Sequence, residues 1–201
     1  MNPTKKIRKF NKQAVRYDNR RSKGDLAHLR APLIGRASGK VLELGAGAGA
    51  NLPYYRPDVI LTAVDFSPAM LSKAREANNR HFNLSAEFRE GNVDTIDLPE
   101  QSFDTVVSTL SLCAYHNPEK ALLNMNRWCK PDGRVLLMEH GLSSRQAMAL
   151  AQKTVNPLAY RLFGCHQNRD VLSLIRRSPL KIEWAASHMA GMLHVMVCHP
   201  S

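Results

Sequence analysis

Short apolar runs interleaved with helical stretches fill residues 40–141, and this alternation limits the fold more than any other feature of the chain. "KVLELG", "VILTAVD", "SAEFREGN", "FDTVVSTL" and "GRVLLMEHG" read as strands. Between them, "SPAMLSKAREANN" reads as a helix with Ser67 as N-cap and Pro68 at its first position, and "PEKALLNMNRWC" as another, followed by a "KPDG" turn. Strands joined through helical crossovers pair in parallel, so the class is α/β. "LKIEWAASH" and "GMLHVMVCH" read as a closing hairpin turned at Ala190–Gly191. Residues 144–178 read as mostly helical, interrupted at Pro157 and by "FGCHQN".

With 201 residues and no repeat or linker, the chain is about one domain, residues 24–201, preceded by an arm, residues 1–23. The arm holds nine Lys and Arg against one acid, Asp18, in a chain of net charge +11. Ile7, Phe10, Ala14 and Tyr17 recur at helical spacing, so an arm helix would be apolar on one face and basic elsewhere. Such a charge asymmetry calls for an anionic partner, a membrane surface or nucleic acid. A second helix is expected in "DLAHLRAPLIGRA", capped by Asp25 and disturbed at Pro32. No apolar run reaches the roughly 18 residues of a spanning helix, and the basic start lacks the apolar core of a signal peptide. Cys113, Cys129, Cys165 and Cys198 show no CxxC spacing, which suggests neither a metal site nor a disulfide framework and fits a reduced, cytoplasmic setting.

The loop "VLELGAGAGAN" carries the chemistry. Glycines between a strand and a helix start let backbone N–H groups approach a ligand closely. Gly45, Gly47 and Ala50 satisfy the dinucleotide pattern, whereas Gly45, Gly47 and Gly49 satisfy GxGxG, so the glycines alone leave the ligand open. Asp65, ending the next strand, suits ribose hydroxyls in either case. Glu43 separates the two. A buried carboxylate needs a partner; near a pyrophosphate it would repel, whereas a ligand with an ammonium group beside its adenosine would supply that partner.

Those residues, with "LTAVDFSPAMLSKARE" and the run from "GNVDTIDLPE" to "LLMEHG", resemble the successive motifs of class I S-adenosylmethionine-dependent methyltransferases over residues 38–141. The resemblance implies a single Rossmann-like seven-stranded sheet, mostly parallel, with a C-terminal antiparallel hairpin and flanking helices. It implies S-adenosyl-L-methionine as cofactor, S-adenosyl-L-homocysteine as product, and no metal. It assigns Glu43, Gly45, Gly47 and Gly49 to the methionine side and Asp65 to the ribose, with Ala46, Asn51 and Ser67 also among the cofactor-binding residues. Phe66 and Met70 fall to the adenine, as do Asn92, standing where many relatives carry aspartate, and Val93. Ser108 and Leu110 would border the sulfonium. Tyr17, in an arm that commonly folds over the cofactor, and His116 and His140, after the fourth and fifth strands, are the candidates for chemistry. "GCHQNRD" reads as a substrate-side loop.

Length, the glycine loop and the basic arm further resemble small bacterial phosphatidylethanolamine N-methyltransferases. "PLAYRLFGCHQNRD" is similar to membrane-associated thiol S-methyltransferases, and quinone-ring C-methyltransferases share the core motifs. The expected acceptor is a lipid or another lipophilic small molecule at the inner face of a membrane. Small thiols and quinols are the alternatives. RNA is disfavoured by the small aromatic content, 6%, and by the lack of an accessory RNA-binding domain. A fold retained only for binding is disfavoured by the intact Glu43 and Asp65.

Overall fold

The computed structural model describes residues 2–23 and 26–201. A seven-stranded sheet runs β3 (Ser85–Glu90), β2 (Ile60–Asp65), β1 (Lys40–Leu44), β4 (Phe103–Thr109), β5 (Cys129–His140), β7 (Leu193–His199), β6 (Lys181–His188). The first five pair in parallel, and β7 is antiparallel to both β5 and β6. β1 is central because its residues are buried on both faces after Lys40. Val41 points into the layer holding Leu33, Leu61 and Val107, while Leu42 and Leu44 point into the layer holding Trp128, Met125 and Met196. Strand order reverses between β1 and β4, so the loops after these two strands diverge and leave a crevice at their carboxyl ends.

Helices α1 (Pro3–Ser22), α2 (Ala27–Ile34), α3 (Pro68–Ala77), α4 (Pro118–Trp128), α5 (Gln146–Phe163) and α6 (Val171–Arg177) surround the sheet. The expected cap of α3 is present: Ser67 Oγ accepts from Met70 N at 3.3 Å with Pro68 at the first position. Asn117 does the same for α4, accepting from Lys120 N at 2.9 Å. Asp25, the expected cap of α2, lies outside the described residues.

Two expectations about breaks are corrected. Pro157 does not interrupt α5, nor Pro32 α2. At each, the residue four positions earlier, Lys153 or His28, is exposed, so water can serve the carbonyl the proline leaves unbonded. "KPDG" is not a turn ahead of β5 but an irregularity within it, because pairing with β4 jumps from Phe103–Cys129 to Thr105–Arg134. The final hairpin turns where expected, with Met189, Ala190 and Gly191 all left-handed at φ 50, 53 and 77°.

Helix α1 folds back onto the domain. Phe10 and Ala14 are buried among Ala48, Met70, Cys113, Ala114 and Cys165, and Ile7 and Tyr17 are half-buried. Phe10 meets Phe66 edge-on, with ring centroids 5.0 Å apart, and Ser67 Oγ donates to Asn11 Oδ1 at 2.6 Å. The arm's apolar face is therefore spent on the domain; Lys6 lies over the Phe66 ring at 5.6 Å, Arg16 and Arg20 border the space beneath the arm, and Lys5, Arg8 and Lys12 face outward.

Candidate functional site

The loop after β1 is held by the end of β2. Gly45 N and Ala46 N both donate to Val64 O (2.8 and 3.1 Å), and Gly47 N donates to Asp65 Oδ2 at 2.9 Å. Gly45 and Gly47 sit at φ 68 and 55°, the left-handed region that side chains disfavour. They serve different ends. A Cβ on Gly45 would lie 2.5 Å from Ser111 Cβ, so this glycine lets the loops after β1 and β4 touch. A Cβ on Gly47 would meet only Tyr17 Cδ1, at 4.0 Å, and would otherwise project into open space.

That space is a cavity of about 380 Å³, within the range of small-molecule sites. Its floor is Gly45–Ala48, Asp65 and Ser111; Phe66 and Met70 form one wall; Phe10 and Tyr17 of α1 roof it. The far wall brings together Cys113, Ala114, Tyr115, His140, Phe163 and Cys165. Asp65 accepts from Gly47 N and, through Oδ1, from Ser67 N at 2.8 Å, and burial pushes its pKa up to about 6. A carboxylate has about four acceptor positions, so lone pairs remain for ligand hydroxyls.

Of the residues expected here, Gly45, Ala46, Gly47, Asp65, Phe66, Met70, Leu110, Tyr17 and His140 line the cavity. Burial pushes the Tyr17 phenol up to about 12, so it stays neutral; burial, then Arg169, pulls His140 down, so its imidazole is neutral near pH 7. The other expected residues lie elsewhere. Gly49 packs on Leu52, Ser67 is the buried cap of α3, Val93 is in the core, and buried Ser108 donates to Glu139 Oε1 at 2.8 Å. Asn92 is exposed and its side chain accepts from Asp94 N at 3.0 Å; His116 is exposed beside the buried Tyr115.

Glu43 stands one layer behind the cavity. It does need partners, but the chain supplies them: Asn51 Nδ2 and Tyr55 OH donate to its two oxygens at 2.8 and 2.9 Å. Burial still raises its pKa to about 7. Asn51 Oδ1 in turn accepts from Arg30 at 2.5 Å, and Arg30, which also donates to Thr109 Oγ1 at 3.0 Å, lines the cavity. The charge that Glu43 and Asn51 help to aim at the ligand space is thus a guanidinium. Nothing in the sequence of α2 marks Arg30 for this position.

Glu139 was likewise not anticipated. Fully buried, it accepts from Ser108 Oγ, Ser111 N (2.9 Å) and Leu112 N (3.1 Å), and so fixes the loop after β4; burial raises its pKa to about 7. The 164–170 loop closes the same side: Arg169 donates to Leu112 O and Tyr115 O at 2.8 and 2.6 Å, and Cys165 and Gln167 reach the cavity. Interaction between the two thiols pushes Cys113 up and pulls Cys165 down. Among the described residues, no group of His, Cys, Asp or Glu is arranged to hold a metal ion.

The two glycines separate experimentally. Gly45→Ala adds left-handed strain of about 1–2 kcal/mol to overpacking of about 1–3 kcal/mol, so its denaturation midpoint should fall clearly. Gly47→Ala bears only the strain, and should lose adenosyl-ligand affinity out of proportion to stability. Equal affinity losses in calorimetric titrations of the two folded variants would contradict this division.

A family model described as "Methyltransferase domain" matches residues 42–137. The chain is 32% identical over 123 residues to a phosphatidylethanolamine N-methyltransferase of Cereibacter sphaeroides, covering 61% of this chain and 61% of that one. It is 33% identical over 152 residues to the thiol S-methyltransferase TMT1B of Rattus norvegicus, covering 72% and 62%. The match thus spans about three fifths of the length of these curated relatives. Among solved structures, a SAM-dependent methyltransferase of Thermotoga maritima superposes with a TM-score of 0.71 at 14% identity, over 98% of this chain and 100% of that one, a likeness of fold.

Proposed function

We propose that this chain, whose residues 42–137 match a methyltransferase domain, is an S-adenosylmethionine-dependent methyltransferase that acts on a lipid or other lipophilic acceptor at a membrane surface. The observation that carries this reading is the roofed cavity, which joins the Asp65–Gly47 cradle to an apolar far wall.

The residues present fit the cofactor. Asp65 retains acceptor positions for ribose hydroxyls, Gly47 leaves room where a side chain would intrude, Phe66 and Met70 offer an apolar slot, and Arg30 suits a carboxylate. S-adenosylmethionine, when bound, supplies a methyl group activated by a good thioether leaving group. The chain's own work is alignment and exclusion of water. Phe10 and Tyr17 close the roof; Ser111, fixed through Glu139, shapes the floor between the loops, and Tyr115, bonded to Ser111, belongs to the far wall. His140, neutral and at the carboxyl end of β5, is the group we assign to take a proton from the acceptor.

The far wall of Phe163, Ala114 and two thiols supports a lipophilic acceptor over a polar one. The association we propose is peripheral; among the described residues no helix is long and apolar enough to cross a membrane. Purified protein with methyl-labelled S-adenosylmethionine and vesicles containing phosphatidylethanolamine should move label into the lipid phase. Label entering a small thiol or a quinol instead would shift the assignment to that acceptor. Label entering none of them, with cofactor still bound, would sink the proposal.

A further inference from the structure

Helix α5 is unusual in that almost none of it is covered. Of its 18 residues only Ala159 is buried, while Leu150, Val155, Leu158 and Leu162 are each more than half exposed. Ala151, Val155, Leu158 and Leu162 follow a spacing of four, three and four, which puts them on one face. Half of the large hydrophobic side chains exposed among the described residues lie on this helix. A contiguous apolar stripe of this kind marks an interaction surface.

What flanks the stripe identifies its occupant. Lys9 Nζ reaches across from α1 to donate to Arg161 O and to Leu162 O, the latter at 3.1 Å, and Gln13 Nε2 donates to Phe163 O at 3.5 Å. These bonds serve carbonyls at the open end of α5 and tie that end to α1. The groove between them is lined by Lys5, Arg8, Lys9, Lys12 and Arg16, and closes on Phe163, which also lines the ligand cavity. On α5 itself, Arg161 flanks the apolar face. Two copies of this surface would set cations against cations. An anionic bilayer satisfies both parts at once, taking the stripe among its acyl chains and the groove against its headgroups.

We propose that the apolar face of α5, rimmed by the basic groove it forms with α1, is the surface by which this protein docks on anionic lipid bilayers. It deepens the lipophilic-acceptor reading and rests on it for its purpose. It also divides the labour differently from the sequence pattern: α1 contributes charge, and α5 contributes the apolar contact. Because Phe163 belongs to both groove and cavity, docking brings the bilayer to the cavity's edge.

The test is flotation of the full chain with vesicles of phosphatidylcholine containing phosphatidylglycerol, and with pure phosphatidylcholine. Wild type should float with the first and much less with the second. Val155→Asp with Leu158→Asp should lower the bound fraction by about tenfold or more, with S-adenosylhomocysteine affinity unchanged by calorimetry. If the double variant loses that affinity, Leu158→Gln takes its place under the same criteria. Undiminished flotation of the variant, or equal flotation on neutral vesicles, overturns the proposal. So does a wild-type dimer in sedimentation that the variant abolishes, since a second copy would then cover the stripe. Loss of methyl transfer to every acceptor, with flotation and its sensitivity to Leu158 intact, would sink the functional reading and leave the docking surface standing.

Discussion

Asp65→Ala is expected to weaken S-adenosylhomocysteine binding by about 10²-fold or more, the largest loss foreseen for any single cavity residue. Each hydrogen bond to a charged group is worth about 1.5–3 kcal/mol, and a pair from ribose hydroxyls would total about 3–6. The same carboxylate holds the loop, since Gly47 N and Ser67 N both donate to it. The variant should therefore also melt lower, because two buried N–H groups lose their acceptor. Asp65→Asn separates the effects: its one remaining oxygen can keep one backbone bond, so affinity and stability should fall between the extremes. Calorimetric titration beside a thermal melt decides the matter. A folded Asp65→Ala protein with wild-type affinity would mean that the ribose lies elsewhere.

The second large effect concerns pH. Glu43 and Glu139 are both buried, with carboxyl pKa values raised to about 7 in the folded chain. In the unfolded chain they titrate near about 4.3. Between these values the folded state holds protons that the unfolded state has released, so stability must fall as pH rises through the window and level off above about 7. Each carboxyl contributes about 1.4 kcal/mol per pH unit inside the window, or about 4 kcal/mol across it. His140, His166 and His194, held neutral by burial, work the other way below about pH 6.5, so the wild-type curve alone is ambiguous.

Glu139→Gln isolates the effect. Its amide oxygen can accept from Ser111 N and Leu112 N, and its NH₂ can donate to the hydroxyls of Ser108 and Ser111, which turn to suit. Denaturant unfolding at pH 5, 6, 7 and 8 should show the variant gaining on wild type by about 3 kcal/mol towards the alkaline end. Parallel curves for the two proteins would mean that Glu139 is ionised throughout.

The parts of the molecule that could be read from sequence are those fixed by local chemistry. Ser67 with Pro68 starts a helix whatever surrounds it, and the apolar runs of β1, β2, β4 and β5 admit few alternatives to a buried sheet. The parts that resisted depend on which remote surface a side chain meets. Glu43 was legible as a carboxylate needing a partner. That its partners are Asn51 and Tyr55 follows from the side of β1 it faces and from the short helical turn Leu52–Tyr54 between them. Tyr115 and His116 are neighbours in sequence, yet one is buried against Ser111 and the other is in solvent, a choice made by the path of the loop after β4. Arg30 and Cys165 reach the cavity from opposite ends of the chain, and no periodicity reports such a meeting. Helix α5 shows a complementary limit: its spacing marks an apolar face, but an identical pattern would serve a face turned to the core.

The bond between Asn11 and Ser67 joins the middle of α1 to the residue that follows Asp65 and Phe66 in the chain. The roof over the cavity is thus latched beside Asp65 and Phe66. If a nucleoside passes in or out only when that latch and the Phe10–Phe66 contact open, Asn11→Ala should speed release of S-adenosylhomocysteine, and an unchanged rate would place the exit elsewhere. Spent product would then leave at the tempo of the arm, and a surface that holds α1 would set how often the door swings.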